Sequence, residues 1–330
     1  MFKWQDDLSL EHSNLYLDSR TPRELCFVSH AHADHLSLHA TAIATAPTLA
    51  LAALRCGVKG ARALAFGESF ALDEETSISL VSAGHVLGSA MLFAQRNSQS
   101  FLYTGDFKLR ASLTVEKAKP VPADVLLMEC TYGLPMFRFP SWQTVADELC
   151  SLVRAGMAAG IQPIVMGYSL GKAQEITRIL TDAGFNVTAH GAVYKMSRAY
   201  DAFGTQLGSY RRYVPGDFHG PHALSIEERG VLVAPPQVAR SAFVERFGKS
   251  VTIMMTGWSV LKNARFRYGV DHCLPLSDHA DYDELLSLIE QVSPKKIFTH
   301  HGYPEFADDL QRRGLDARPA RPDKQLSLFD

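Results

Sequence analysis

Within six residues, His30-Ala31-His32-Ala33-Asp34-His35, four side chains able to bind a metal follow, after Ser29, on the apolar run Leu25-Cys26-Phe27-Val28. At an extended strand end alternate residues point the same way, so His30 and His32 present two imidazoles to one ion while Asp34 and His35 turn toward a second. A lone histidine is usually structural or solvent-facing, but four ligand-type side chains in so short a stretch are hard to place except around metal. Each ion needs further ligands, and three residues at the ends of other apolar runs supply them: His85 after ISLVSAG, Asp106 after SFLYTG, and His301 in KIFTHHG. Together these suffice for two sites with positions left open for water or substrate.

The apolar runs that end in polar clusters alternate with stretches of helical periodicity over residues 142–159, 172–183 and 281–291, which makes the class α/β. Strands with such polar ends stop after Thr131-Tyr132-Gly133 and resume near Leu274, so about 135 residues between them read as an inserted domain. The expected division is 1–133 and 269–315 for the body, 134–268 for the insert, and 316–330 for an extended tail in which Pro alternates with charge. Hydrophobic residues at 46% and charged ones at 21% exclude disordered and fibrous classes. A net charge of -2 gives no global attraction to a polyanion, yet residues 191–270 hold eleven Lys or Arg against five acids. That concentration of positive charge is the footprint expected of phosphate-backbone contact, or else a solvated face.

The five cysteines are scattered and never form a CxxC pair, which argues against a disulfide framework and for a reducing, cytoplasmic setting. No charged-then-apolar leader opens the chain and no run approaches the roughly 20 apolar residues of a membrane span, so no membrane partner is expected.

HAHADH, SAGHVLGSA, YTGD and THHG resemble, in order and over nearly the whole chain, the signatures of the metallo-β-lactamase superfamily. The resemblance implies an αββα sandwich and a ligand assignment: His30, His32 and His85 for the first metal, Asp34, His35 and His301 for the second, and Asp106 bridging them. It favours His301 over His300 because the ligand precedes Gly302. Asp18, in LYLDSR, resembles the first motif's supporting aspartate; its other reading is a turn-forming residue before Pro22. Two zinc ions are implied, with manganese or iron open to the same cage.

The insert narrows the branch. MECTYG with Glu129, GYSLGKAQEI, MMTGW and LSDHADYDEL with His279 resemble the marks of the β-CASP branch, whose members cleave nucleic acids, so the insert is expected to be an α/β β-CASP domain. Two cations would acidify a shared water with Asp34 at its side, His279 would protonate the departing oxygen, and Glu129 would orient that imidazole. Ser277 flanks His279 and is a candidate phosphate contact; Asp278 is left without a role. Ser169 and Lys172, where a strand end turns through Gly171 into a helix, are further candidate substrate contacts.

Within the branch the chain looks most like bacterial exonucleases associated with ATP-dependent DNA ligases, which implies a metal-dependent DNA exonuclease in repair or end processing and sets a DNA ligase and a helicase among its candidate partners. An RNA-processing nuclease of the same branch and an inactive clamp- or nucleic-acid-binding module remain as other readings. Gln325-Leu326-Ser327-Leu328-Phe329 resembles the peptide by which bacterial repair proteins dock on the DNA polymerase III sliding clamp: three apolar side chains for a pocket and one polar anchor.

Overall fold

In the computed structural model, which describes residues 2–4 and 7–320, the chain divides into two compact units: the described residues up to Arg138 with those from Asp278 onward, and Phe139–Ser277.

In the first unit two sheets lie face to face. One runs in chain order through Phe2–Trp4, Leu8–Leu10, Leu15–Leu17, Leu25–Phe27, Thr41–Ala44 and Ala61–Ala63. The other has the order Ala317–Pro319, Lys296–Gly302, Val125–Cys130, Gln99–Tyr103, Ala90–Arg96, Thr76–Ser82, Ser69–Ala71. Alternation sorts their side chains. Leu15, Leu17, Phe27 and Ile43 of the first sheet meet Leu80, Leu92, Phe101, Tyr103 and Leu127 of the second in the central core. The intervening Leu102, Leu126, Met128 and Ile297 face outward under Leu285 and Leu288 of the helix Tyr282–Val292 and Phe306 and Leu310 of Glu305–Arg312. On the other side Val28, Ala42 and Ala44 pack with Leu49 of the helix Ala46–Arg55. The layering is helix, sheet, sheet, helix, the αββα sandwich expected from the motifs.

Parallel pairing collects the chemistry. Gln99–Tyr103 and Lys296–Gly302 both run parallel to Val125–Cys130, so their carboxyl ends emerge on one edge, carrying Asp106, His301 and Glu129. Leu15–Leu17, Leu25–Phe27 and Thr41–Ala44 are likewise parallel, and Asp18 and the histidine run leave the first two at their carboxyl ends.

The second unit is a fully parallel sheet in the order Tyr210–Arg212, Val187–Ala189, Val231–Ala234, Gln162–Met166, Ser250–Met255, His272–Leu274. Its central strands are mostly apolar, as burial on both faces demands: Ile164, Met166, Leu232, Ala234 and Met254 form one core cluster. Three longer helices, Trp142–Ala158, Lys172–Asp182 and Gly191–Ala202, accompany it.

The unit junctions, after Arg138 and after Ser277, fall later than the expected 133/134 and 268/269. Phe137 is buried with Tyr132 and Tyr303 of the first unit, and His272–Leu274 pairs with Ser250–Met255 of the second. The expectation of an extended tail from 316 also changes: Ala317–Pro319 adds an edge strand to Lys296–Gly302, with Ala317 buried. Gln325, Leu326, Ser327, Leu328 and Phe329 lie outside the described residues.

One irregularity aims a side chain. Glu129 pairs with His300 but Cys130 pairs with Gly302, so His301 is the extra residue of a bulge and takes the left-handed φ of 50°. Gly302 is tied to that geometry, because a Cβ there would lie 1.9 Å from the Cys130 carbonyl oxygen and 2.6 Å from the Thr131 nitrogen, both backbone atoms that cannot yield. Gly302→Ala is expected to lower stability by about 1–3 kcal/mol in urea denaturation, whereas Gly191→Ala, where nothing lies within 4 Å of the added carbon, should leave it unchanged.

Candidate metal centre

After Phe27 the chain leaves its strand and closes a short 3-10 turn, Ala33–His35, which returns His35 beside His30. Their rings lie 4.2 Å apart, and those of His30 and His85 4.6 Å apart. One nitrogen from each of His30, His32 and His85 and an Asp106 oxygen all lie within 4.8 Å of one another; His35, Asp106 and His301 form a second such group. Asp106 Oδ2 is 3.4 Å from His30 Nε2, 3.5 Å from His35 Nε2 and 3.8 Å from His85 Nε2, and Oδ1 is 4.0 Å from His301 Nδ1. These separations are long for hydrogen bonds, but two ligands each about 2.0–2.1 Å from one tetrahedral ion sit about 3.3 Å apart. The Nε2 atoms of His30 and His35 are buried without a hydrogen-bond partner, an arrangement that costs about 1–3 kcal/mol per group unless an ion takes the lone pair. The His/Asp cluster therefore fits divalent metal.

Neighbouring groups set which ring nitrogen is available. Asp18, itself at φ 45°, accepts from Ser29 N at 2.6 Å on Oδ1, and on Oδ2 from Ser29 Oγ at 2.5 Å, Tyr103 OH at 2.8 Å and His35 Nδ1 at 3.0 Å. A carboxylate only accepts, so a His35 proton sits on Nδ1, and Nε2 is the nitrogen that faces Asp106 and would bind an ion by giving up its own proton. His85 is fixed in the same way, donating from Nδ1 to the Asp278 carbonyl oxygen at 2.7 Å. Gly105 lets these layers close up: at φ 52° a Cβ there would lie 2.5 Å from Ser29 Cβ and Oγ. Asp18 thus supports the cluster.

Charge states follow the packing. Burial, and then the neighbouring His35, push His30 well below its usual range, while burial and His279 bring His85 down to about 3. Both imidazoles are neutral, as ligands must be. Burial opposes charge on Asp106 as well, but His35 and His279 outweigh it and hold its carboxyl well below the carboxylate range. His35 is pushed up to about 10, since Asp106 and Asp18 overcome its burial.

Asp34 stands at the margin of the group, its side chain 64% exposed and its Oδ2 3.8 Å from His35 Nε2. His300 lies outside the cluster: strand alternation turns its ring into the core against Trp4 and Tyr103, at 5.8 and 5.5 Å between centroids.

On the other flank of Asp106, buried Glu129 accepts from Phe107 N at 2.8 Å and from the Thr131 hydroxyl, and both its oxygens lie 3.0–3.1 Å from His279 Nδ1. Burial resists charge on His279, yet Glu129 and then Asp106 push it up to about 9. Its side chain remains 19% exposed. Ser29, Tyr103 and Thr131 were missed in the sequence although Tyr103 and Thr131 sit inside motifs already noted and Ser29 directly precedes one. The Asp278 contribution is a backbone carbonyl, for which residue type gives no signal.

In the second unit, Gly171 at φ 90° opens the helix, and Gln174 holds the turn by accepting from Gly171 N at 2.8 Å and donating to Ser169 O at 3.1 Å. Lys172 is buried with Nζ 5.1 Å from the Tyr168 ring centroid, and Ser277 is buried at the end of the unit.

Residues 263–319 match the model of the Zn-dependent metallo-hydrolase RNA specificity domain. The chain is 36% identical over 329 residues, 99% of its length, to a protein of Opitutus terrae named "Probable DNA ligase", of which it spans 32%. It is 25% identical over 286 residues to the 5′ exonuclease Apollo of Gallus gallus, covering 83% of this chain and 57% of that one. It is 25% identical over 307 residues to RNase aCSPSF2 of Saccharolobus solfataricus, covering 81% and 61%. The match at residues 263–319 and these relatives together support a metallo-β-lactamase nuclease of the β-CASP branch. A crystal structure of a protein of unknown function from Enterococcus faecalis shares this β-CASP chain's fold, with a TM-score of 0.57 at 15% identity over 84% of this chain and 75% of that one. The chain spans less than two thirds of each curated relative named here, and about a third of the ligase.

If Asp106 is shared, Asp106→Ala should abolish tight binding of both ions, while His301→Ala loses one and His300→Phe keeps two, as read by metal analysis after gel filtration. Asp18→Asn should weaken binding about 10- to 100-fold in competition with a chromogenic chelator; unchanged affinity would remove Asp18 from the centre.

Proposed function

We propose that this β-CASP protein is a metal-dependent phosphodiesterase, with DNA as substrate and terminal nucleotides as the point of attack. The supporting observation is the pair of buried Glu129 and partly exposed His279 beside Asp106, an oriented imidazole next to a carboxylate shared by two histidine groups. His30, His32 and His85 would hold one ion, Asp34, His35 and His301 the other, and Asp106 both. Bound there, the ions, zinc by the chemistry of a mainly imidazole donor set, supply the positive charge that acidifies a nucleophilic water and balances charge on the scissile phosphate. Asp34, exposed at the margin, would receive the proton of that water. His279 carries the proton for the departing oxygen, and Glu129 holds its ring and stabilises the imidazolium. Ser169, Lys172 and Ser277 serve as phosphate contacts.

The DNA reading draws on the relative named as a DNA ligase, whose aligned region takes in nearly all of this chain, and on Apollo. A ligase partner and clamp docking through Gln325 to Phe329 extend it. The RNA reading has its own support in the match at residues 263–319 and in the relative named RNase aCSPSF2.

Single strands of DNA and RNA of matched sequence, labelled at either end and with or without a 5′-phosphate, are expected to show metal-dependent release of terminal nucleotides from DNA, abolished by chelation. Faster RNA cleavage selects the RNA reading, and internal cuts remove the exonuclease. His279→Ala is expected to keep its metal and lose about 10²–10⁴-fold in kcat; normal turnover in that variant refutes the proton donor. Deleting residues 325–330 should abolish binding to purified clamp, and equal affinity rules the docking out.

A further inference from the structure

Two large aromatic side chains stand out of the second unit's surface: Phe266, 65% exposed, and Tyr168, 47% exposed. Each carries a cation over its ring, the Arg265 guanidinium 4.6 Å from the Phe266 centroid and the Lys172 ammonium 5.1 Å from that of Tyr168. Phe266 is held rather than loose. Its helix, Ala264–Tyr268, is bracketed by left-handed Asn263 and Gly269, and Arg240 Nη2 donates to the carbonyls of Phe266 at 2.8 Å and Arg267 at 2.7 Å. Tyr268 and Val270 pack on the Ile164–Met254 core, so the backbone is anchored while the Phe266 ring projects.

The position of both rings is significant. Tyr168 follows Gln162–Met166, and the Phe266 helix follows Ser250–Met255, its parallel neighbour. From Gln162–Met166 the chain moves to one side for Val187–Ala189 and Tyr210–Arg212, returns on that side as Val231–Ala234, and then crosses to the other for Ser250–Met255 and His272–Leu274. The carboxyl ends of these two central strands are thus the topological switch point, where open parallel sheets bind ligands. The ligand's charge is indicated by the surroundings: residues 191–270 hold eleven basic side chains against five acidic, and Lys262, Arg265 and Arg267 fall within six residues free of acids. Aromatic faces with cations beside them in a positive field suit unpaired bases on a phosphate backbone; a duplex hides those base faces.

We infer that this edge of the sheet binds single-stranded nucleic acid, unpaired bases stacking on Phe266 and Tyr168 while Arg265 neutralises backbone phosphate and buried Lys172 adds its charge from behind the Tyr168 ring. The inference rests on the nuclease reading for the class of polymer and adds the strandedness and the groups that read it. Stacking tolerates any base and either sugar, so DNA and RNA strands are both accommodated.

The test uses the full chain in chelator, where nothing is hydrolysed, with short fluorescein-labelled oligothymidylate and oligouridylate, a blunt duplex, and a strand containing 2-aminopurine. Phe266→Ala and Tyr168→Ala should each weaken single-strand binding about 5- to 150-fold and relieve 2-aminopurine quenching, and Phe266→Trp should restore both. Arg265→Ala should reduce the slope of log affinity against log salt by about 0.7. Circular dichroism checks that the variants fold. A wild type that binds strands with no dependence on Phe266 or Tyr168, or binds duplex as tightly, overturns the stacking inference alone. One that binds no strand overturns this inference and the nuclease reading together, and one that shows the aromatic dependence but hydrolyses nothing with metal sinks only the latter.

Discussion

Everything in the first unit converges on one buried carboxylate. Asp106 has ring nitrogens of His30, His35, His85, His279 and His301 each within 4.0 Å. An isolated buried carboxylate is strongly unfavourable, and the desolvation is offset here chiefly by the charge of His35 and His279. Parallel pairing brings Asp106, Glu129 and His301 to one sheet edge, and the bulge at His301 turns its ring off the strand's regular alternation. Asp18 and Ser29, drawn together across the narrow space that Gly105 leaves, bind His35 and lie against His30. The two groups of imidazoles meet at His30 and His35, whose rings are 4.2 Å apart, and both reach Asp106.

Residues whose chemistry is expressed by their own side chain were legible in the sequence. His30, His32, His85 and Asp106 are such residues, and each ends an apolar run, which is why the αββα layering and the cluster could be anticipated together. Asp34 was read as an equal partner in the second group but is largely exposed, because the 3-10 turn that brings His35 inward leaves the preceding side chain outside; a run of letters does not display that turn. The choice between His300 and His301 came from the order of residues around Gly302, while the physical reason, a one-residue bulge against Cys130, depends on register between strands far apart in sequence. Asp278 was left without a role since it acts through its carbonyl.

The second unit illustrates the same limit. Its parallel, apolar strands were readable as an insert, but its ends were placed early, because His272–Leu274 looks like the start of the returning body and pairs instead with Ser250–Met255. The basic character of residues 191–270 was visible as a sum. The exposure of Phe266 and Tyr168 was not, since an aromatic residue in a sequence is ordinarily a core residue. Only the left-handed brackets at Asn263 and Gly269 and the strand order reveal rings presented at a switch point.

The most direct test of the account is the anomalous scattering of crystals grown with zinc and measured on both sides of the zinc edge. Two peaks flanking the Asp106 carboxylate about 3.5–4 Å apart, one against His30, His32 and His85 and one against His35 and His301, are predicted. A single peak, or metal bound away from Asp106, would contradict a centre built on that shared carboxylate.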